Sequence, residues 1–250
     1  MHSLTAFYAN LAAGATSALV SLVSDQTVQS RSGRAQFSNG RKITHAYAGV
    51  ADGTRVAFDY PSVNRIAPPV IAPVDGDGPG GNLPAQIAYG QRGLTLPATE
   101  DIGILATRGG AGATDAVVAL WTTPSFVPAP AGEVWTVQAT SALAGAAWTW
   151  VNADTALVNP LPAGTYAIIG ARVVGANCLL ARFIFPGQVE RPGVIANVAS
   201  TAYQLPWFRM GAAGLFGTFN NYLLPKVEAL FVAAAGAVTI EFDIVPQGRI

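Results

Sequence analysis

Arg191-Pro192-Gly193-Val194-Ile195-Ala196-Asn197-Val198 has a near copy 124 positions earlier, Ala67-Pro68-Pro69-Val70-Ile71-Ala72-Pro73-Val74. Outward from these two segments, the flanks repeat at almost the same interval and in the same order. Ala15-Thr16-Ser17-Ala18-Leu19 returns unchanged as Ala139-Thr140-Ser141-Ala142-Leu143, and Phe58-Asp59-Tyr60-Pro61 is matched by Phe183-Ile184-Phe185-Pro186. Residues 101–105 align with 226–230, and 116–124 with 238–246. An offset that drifts by a few residues but keeps its order is what loop insertions leave between two copies of one domain. The sequence therefore predicts a tandem duplication with a period of about 124 residues.

The 250 residues give each copy enough length to bury its own core. Charge is scarce: Asp, Glu, Lys and Arg make up 11% of the chain, fourteen of each sign, where soluble domains average about a quarter. With a mean hydropathy of +0.37, so little charge predicts a surface largely covered by something else, most simply a neighbouring subunit. A balanced charge with no Lys/Arg-rich arm gives no footprint for direct nucleic-acid binding. Cys178 is the sole cysteine, so no intrachain disulfide forms, and its apolar setting predicts a core residue. Residues 4–23 carry no charge, but they lack a basic leader and contain Asn10, Thr16, Ser17 and Ser21. They are read as an apolar N-terminal arm entering a strand, and not as a signal or a membrane span.

Helical periodicity is nearly absent. Short β-branched and aromatic runs separated by Gly, Pro, Asn or Asp predict an all-β sandwich or barrel. In the second copy, strands are expected at 133–141, 147–152, 165–174, 178–185, 192–198, 214–219, 226–233 and 237–245. In the first they are expected at 15–23, 27–37, 42–50, 54–60, 69–74, 87–96, 101–107 and 114–121. Alternation supports the last strand of all, with Val238, Ile240, Phe242 and Ile244 on one face and Thr239, Glu241 and Asp243 on the other. Prolines 124, 128 and 130 break pairing between the copies. The expected division is an arm at 1–10, a first domain at 11–123, a linker at 124–132 and a second domain at 133–250. Two loops follow the repeated segment, one holding Asp75 and Asp77 and the other, at 199–213, holding Trp207 and Phe208; both are expected to be exposed.

Catalytic signals are few. With only His2 and His45, no three-histidine metal site is possible, and no nucleophile elbow, phosphate loop or dinucleotide fingerprint occurs. His2 is placed at a mobile terminus and His45 in a strand as a structural residue. Asp75 and Asp77 begin like a calcium loop, but Pro79 follows and no Glu closes it. Glu100 with Asp101, and Glu241 with Asp243, are read as solvated strand carboxylates. Trp148 and Trp150 share a parity and are assigned to the core. Arg191, beside Glu190, is the polar group best suited to lock a strand end or a subunit contact, because a guanidinium binds carboxylates bidentately. No cofactor, metal or catalytic residue is assigned.

Two eight-stranded copies in tandem resemble the double jelly-roll major capsid proteins, the lineage of adenovirus hexon and of tailless bacteriophages with an internal membrane. The resemblance covers residues 11–250 and rests on the duplicated strand plan and the loop positions. It implies two tandem jelly rolls per chain and a homotrimer that forms a pseudo-hexagonal tile of an icosahedral shell. It also implies outward loops at 75–86 and 199–213, and a place in the virion. Its implied partners are the chain itself and neighbouring capsomers, then penton or minor capsid proteins and an internal membrane. Phe7 and Tyr8 of the arm are candidates for clamping an adjacent tile. The rival expectation is a carbohydrate-binding or adhesive module that uses Trp207 and Phe208 as a stacking surface. A two-domain metal enzyme of the cupin type is a third, and it lacks the clustered ligands such a site requires.

Overall fold

The computed structural model describes residues 1–22, 28–37, 41–50, 53–59, 85–90, 93–96, 100–197 and 206–248. It is all-β. In chain order the strands are β1 (Ser3–Leu11), β2 (Thr16–Leu22), β3 (Val28–Arg31), β4 (Arg34–Phe37), β5 (Lys42–Val50), β6 (Gly53–Asp59), β7 (Ala85–Ala88), β8 (Leu94–Thr95), β9 (Asp101–Arg108) and β10 (Thr114–Thr123). They continue as β11 (Trp135–Ala142), β12 (Val151–Ala153), β13 (Ala156–Leu157), β14 (Thr165–Val174), β15 (Cys178–Ile184), β16 (Gly193–Ile195), β17 (Gly217–Asn220), β18 (Lys226–Phe231) and β19 (Ala237–Gly248). A single 3-10 turn, Pro206–Phe208, is the only helical element among the described residues. The chain divides into an N-terminal unit, Leu4–Pro124, and a C-terminal unit, Ser125–Ile250 together with Met1–Ser3.

The C-terminal unit holds two sheets. One runs β13-β11-β19-β14-β17 and the other β12-β18-β15-β16. Val238, Ile240, Phe242 and Ile244 of β19 are buried, as their alternation predicts, and Phe242 meets Phe183 of β15 edge-on at 5.0 Å. Aromatic rings in this geometry add roughly 0.5–1.5 kcal/mol to the area they bury. The opposite face of the β14/β19 pair is covered as well: Ala167, Ile169 and Val245 pack beneath Ala129 and Leu215. Residues 124–132 therefore form no strand, yet they are not a free spacer, since Val127 accepts the Leu215 N–H at 2.9 Å.

The N-terminal unit is one continuous sheet ordered β3-β4-β9-β2-β1-β10-β5-β7, with β6 also on β9 and β8 on β5. Its core includes Phe7, Leu11, Phe37, Val56, Phe58, Ile102, Ile104, Val118 and Leu120. From Ile43 and Ala116 onward, β5 and β10 are buried at every position, which accounts for their near-continuous apolar runs.

Several expectations are corrected. The arm at 1–10 is not an arm: residues 3–11 are β1, a strand flanked by β2 and β10 inside the sheet. Phe7 lies in the core, and the Tyr8 hydroxyl donates to Asp115 at 2.8 Å. The expected strand at 27–37 is the β3/β4 hairpin, closed by Ser32 and Gly33, both at positive φ as a two-residue I′ turn requires. The expected strand at 87–96 breaks at Gly90 and Gly93; a Cβ on Gly93 would come within 2.9 Å of the Ile43 carbonyl. Trp148 and Trp150 are half-buried residues of the 147–150 turn and not core, with Trp148 at φ +57°. The expected strand at 69–74 lies outside the described residues.

Pairing also revises the repeat. Residues 15–19 and 139–143 are identical but not equivalent, because β2 pairs with β1 and β9 whereas β11 pairs with β19 and β13. The strand that takes the position of β11 is β1: the order β7-β5-β10-β1 in one unit corresponds to β17-β14-β19-β11 in the other. The neighbours β6-β9 likewise correspond to β15-β18.

Candidate functional site

The polar chemistry of the C-terminal unit is concentrated in two ionic clusters. The first is built on a direct cross-strand pair, Arg182 of β15 opposite Glu228 of β18. Both are buried, and Arg182 Nε donates to Glu228 Oε2 at 2.5 Å. Arg191 Nη1 donates to the same oxygen at 2.8 Å. The Arg182 guanidinium also stacks over the Trp150 ring, 4.1 Å from its centroid. Arg191 thus faces inward to a carboxylate and holds the approach to β16 against β18. The Glu190 carbonyl accepts from Gln188 Nε2 at 3.3 Å.

The second cluster sits on the other sheet. Asp243, fully buried on β19, accepts Arg209 Nε at 2.5 Å and Nη2 at 2.7 Å, the Met210 N–H at 3.0 Å and the Thr136 hydroxyl at 3.0 Å. Burial alone would raise its pKa, but the hydrogen bonds from Arg209, Met210 and Thr136 outweigh that and hold the carboxyl below its ordinary value. Glu241 bridges Arg209 and Arg172. The cluster pins the turn at 206–214 to the sheet, and Gly170 makes the approach possible. A Cβ there would stand 2.8 Å from Asp243 Oδ2 and from the Phe208 carbonyl, and 2.9 Å from Arg209 Cα. Asp243 is therefore no solvated strand carboxylate.

The docked turn changes the reading of its aromatic pair. Phe208 is only 4% exposed, and Trp207 is half-buried with its ring 4.8 Å from Phe208 and 5.3 Å from His2. They do not form an exposed stacking surface. His2, expected at a mobile terminus, is buried and edge-on to both Trp207 and Phe126. Asp75 and Asp77 lie outside the described residues. His45 is buried in β5, and desolvation lowers its pKa to about 4; burial pushes the Cys178 thiol up to about 12.

A third feature is apolar. The turn carrying Tyr222 and Leu223 is held by Asn220, whose side-chain oxygen accepts the Tyr222 N–H and whose carbonyl accepts the Leu223 N–H, each at 3.0 Å. Asn221 and Gly164 join this turn to the 158–164 loop through reciprocal bonds of 3.1 and 3.2 Å. Tyr222 is 78% exposed, with Leu223 and Val158 more than half exposed. Neither 158–164 nor 217–225 contains a charged residue. Two cavities open at this place. One of about 300 Å3 is lined by Trp135, Pro162, Ala163, Tyr166, Pro246 and Gly248. The other, of about 220 Å3, is lined by Thr165, Pro186, Thr218, Phe219, Asn220 and Leu223.

Arg182, Glu228 and Arg209 were not singled out from sequence, and Asp243 was read there as solvated. The available signal was scarcity: a lone arginine inside Cys178-Leu179-Leu180-Ala181-Arg182-Phe183-Ile184 must find a partner when its strand is buried on both faces. Among the described residues there is no group of His, Cys, Asp and Glu arranged to hold a metal, and no helix long and apolar enough to cross a membrane.

No protein-family description matches the chain, and no curated protein matches its sequence. Among solved structures, the chain aligns with the major capsid protein P2 of bacteriophage PM2 at 10% identity, covering 100% of this chain and 99% of that one, with a TM-score of 0.28. A superposition that loose establishes neither fold nor function.

Proposed function

We propose that this chain is a structural protein of a virus particle, a major capsid protein with two tandem jelly rolls that associates as homotrimers into an icosahedral shell. The observation that carries the reading is the strand order. In the C-terminal unit, β17-β14-β19-β11 faces the problem of open edges together with a second sheet, β16-β15-β18-β12. Apart from the two-residue β13 on the edge of the first sheet, these are eight strands in two four-stranded sheets, and their crossings are what the two Greek keys of a jelly roll produce. The recurrence of β7-β5-β10-β1 and β6-β9 in the N-terminal unit supports the duplication.

Jelly rolls serve several functions, so the step from fold to capsid is an analogy. Two further observations favour it. The chain is poor in charge throughout, and the one surface described above that is both apolar and rigid, around Tyr222, lacks any charged group. Such a surface suits burial against another uncharged surface, as in repeated contacts between copies. The chain's partners on this reading are its own copies and neighbouring capsomers, then penton or minor capsid proteins and a membrane beneath the shell. Of the expected outward loop at 75–86, residues 85 and 86 belong to β7, and residues 75–84 remain the candidate. The carbohydrate-binding alternative loses its platform with the burial of Phe208.

Light scattering of the purified chain tests the proposal. A particle of about three times 25.7 kDa, with six-lobed outlines in negative stain, or a closed shell, is the expected result. A monomer at all concentrations, or a specific glycan-array signal without assembly, would overturn it.

A further inference from the structure

The larger of the two cavities beside the Tyr222 turn has a composition that narrows what enters it. It is lined by Trp135, Pro162, Ala163, Tyr166, Pro246 and Gly248 and holds about 300 Å3, the lower end of the roughly 300–1,000 Å3 that small-molecule sites occupy. None of these residues is charged, and only Trp135 and Tyr166 among them carry a polar side-chain atom. The Tyr166 hydroxyl already donates to the Pro162 carbonyl at 2.8 Å, so the wall it presents is a ring face. That face belongs to a row of rings, with Trp135 6.2 Å from Tyr166 and Phe219 stacked on Tyr166 at 5.6 Å. A polar ligand such as a sugar needs a few placed hydrogen-bonding groups to fix it; this lining suits a single apolar ring.

The chain itself carries such a ring. Tyr222 is the most exposed large apolar side chain among the described residues, and it lines neither cavity. We propose that Tyr222 of one copy enters the Trp135/Tyr166 cavity of a second copy, a contact that rests on reading the chain as a self-assembling capsid subunit. Gly164 couples knob to hole. Its N–H donates to Asn221 Oδ1 at 3.1 Å and its carbonyl accepts the Asn221 N–H at 3.2 Å, while a Cβ on it would stand 2.8 Å from the Gly248 carbonyl oxygen at the cavity wall. The two therefore keep a fixed spacing, and little freedom is lost when they meet their counterparts. Both are uncharged, so closing them together leaves no ion to desolvate. Each copy gives one ring and receives one, the head-to-tail contact from which a closed ring of copies such as a trimer is built.

Two measurements on the full chain test this. Ala163 is exposed and lines the cavity, so Ala163→Trp fills the hole while keeping the Tyr222 knob. The concentration for half assembly in light scattering should rise at least about tenfold, as loss of a central aromatic contact does. In the second, p-azidophenylalanine takes the place of Tyr222 in a mixture of isotope-labelled and unlabelled chains. Irradiation should join labelled to unlabelled peptides through residues 135, 162–166 or 246–248. The crosslink is read on an intact cavity, so it decides the question even where the tryptophan disturbs the fold. An Ala163→Trp chain that assembles as the native one does, or crosslinks between copies that fall elsewhere, would overturn the knob-in-hole contact and leave the capsid reading standing. A native chain that stays monomeric at all concentrations would overturn both.

Discussion

Arg182 and Glu228 stand directly opposite each other on β15 and β18, buried, with Arg182 Nε 2.5 Å from Glu228 Oε2. Arg191 completes the cluster by donating to the same oxygen. One carboxylate therefore answers two guanidinium groups, and Trp150 covers the more buried of them. Removing the carboxylate leaves Arg182 charged in a dry setting, a situation that costs about 3–5 kcal/mol. Glu228→Ala should lower the unfolding free energy obtained from denaturant melts by an amount of that order. Arg182→Met with Glu228→Leu removes the buried pair, leaves only the partly exposed Arg191 without its carboxylate, and should recover most of the loss, since well-packed apolar residues often replace a buried pair without penalty. Equal destabilisation by the single and double changes would show that packing, not charge, holds the two strands.

Asp243 gives a pH dependence whose sign follows from its environment. Hydrogen bonds to Arg209, Met210 and Thr136 overcome the cost of burial and keep its folded-state pKa below the ordinary carboxyl value. The stabilisation is complete above the unfolded pKa of about 4 and is lost as pH falls below it through the folded value. Stability measured against pH should then show the gap between the native chain and Asp243→Asn closing below about pH 4. A gap that is constant from pH 7 to pH 2 would mean that the carboxylate's charge contributes nothing.

The sequence made the strands of the C-terminal unit readable because each was bounded by turn residues and carried alternating or branched apolar positions. The run at 165–174 coincides with β14 at both ends. What alternation cannot supply is pairing. Ala15-Thr16-Ser17-Ala18-Leu19 and its identical twin look equivalent, yet cross-strand partners place them on strands with different neighbours. Residues 3–11 looked like an arm because a strand inside a sheet and an apolar tail have the same composition; only the pairing on both sides distinguishes them. Asp243 looked solvated because a strand face that alternates toward polar residues is normally wet. Here a turn 34 residues away in sequence, carrying Arg209, returns to cover it, and a contact of that range has no local signature. Gly170 was the one local clue, a glycine inside a strand, which marks close approach by another backbone.

His45 predicts an opposite kind of titration from a lysine or histidine that gains a partner. Burial lowers its folded pKa to about 4, against about 6.5 unfolded. Between these values the unfolded chain binds the proton and the folded chain does not, so stability rises with pH across that window and is lost on acidification. Replacing His45 with Gln should flatten the slope between about pH 4 and pH 6.5 while leaving the fall below pH 4 that belongs to Asp243. If the slope persists in His45→Gln, another group is responsible for it.

Tyr222 offers the most direct handle on assembly. Its turn is fixed by Asn220 and joined to the 158–164 loop through Asn221 and Gly164, so the exposed ring is presented with little freedom to lose on contact. A glutamate at this place adds a charge that must be desolvated in any apolar contact, but it touches nothing in the folded chain that depends on the ring. Tyr222→Glu with Leu223→Glu should therefore leave the unfolding free energy within about 0.5 kcal/mol of the native value, as surface changes do. The same double change should shift the mass in light scattering from oligomer toward monomer. Tyr222→Phe serves as the companion, because it keeps the apolar ring and should assemble normally. A glutamate double variant that assembles as the native chain does would show that copies meet through a different surface, and would leave the exposure of Tyr222 unconnected to self-association.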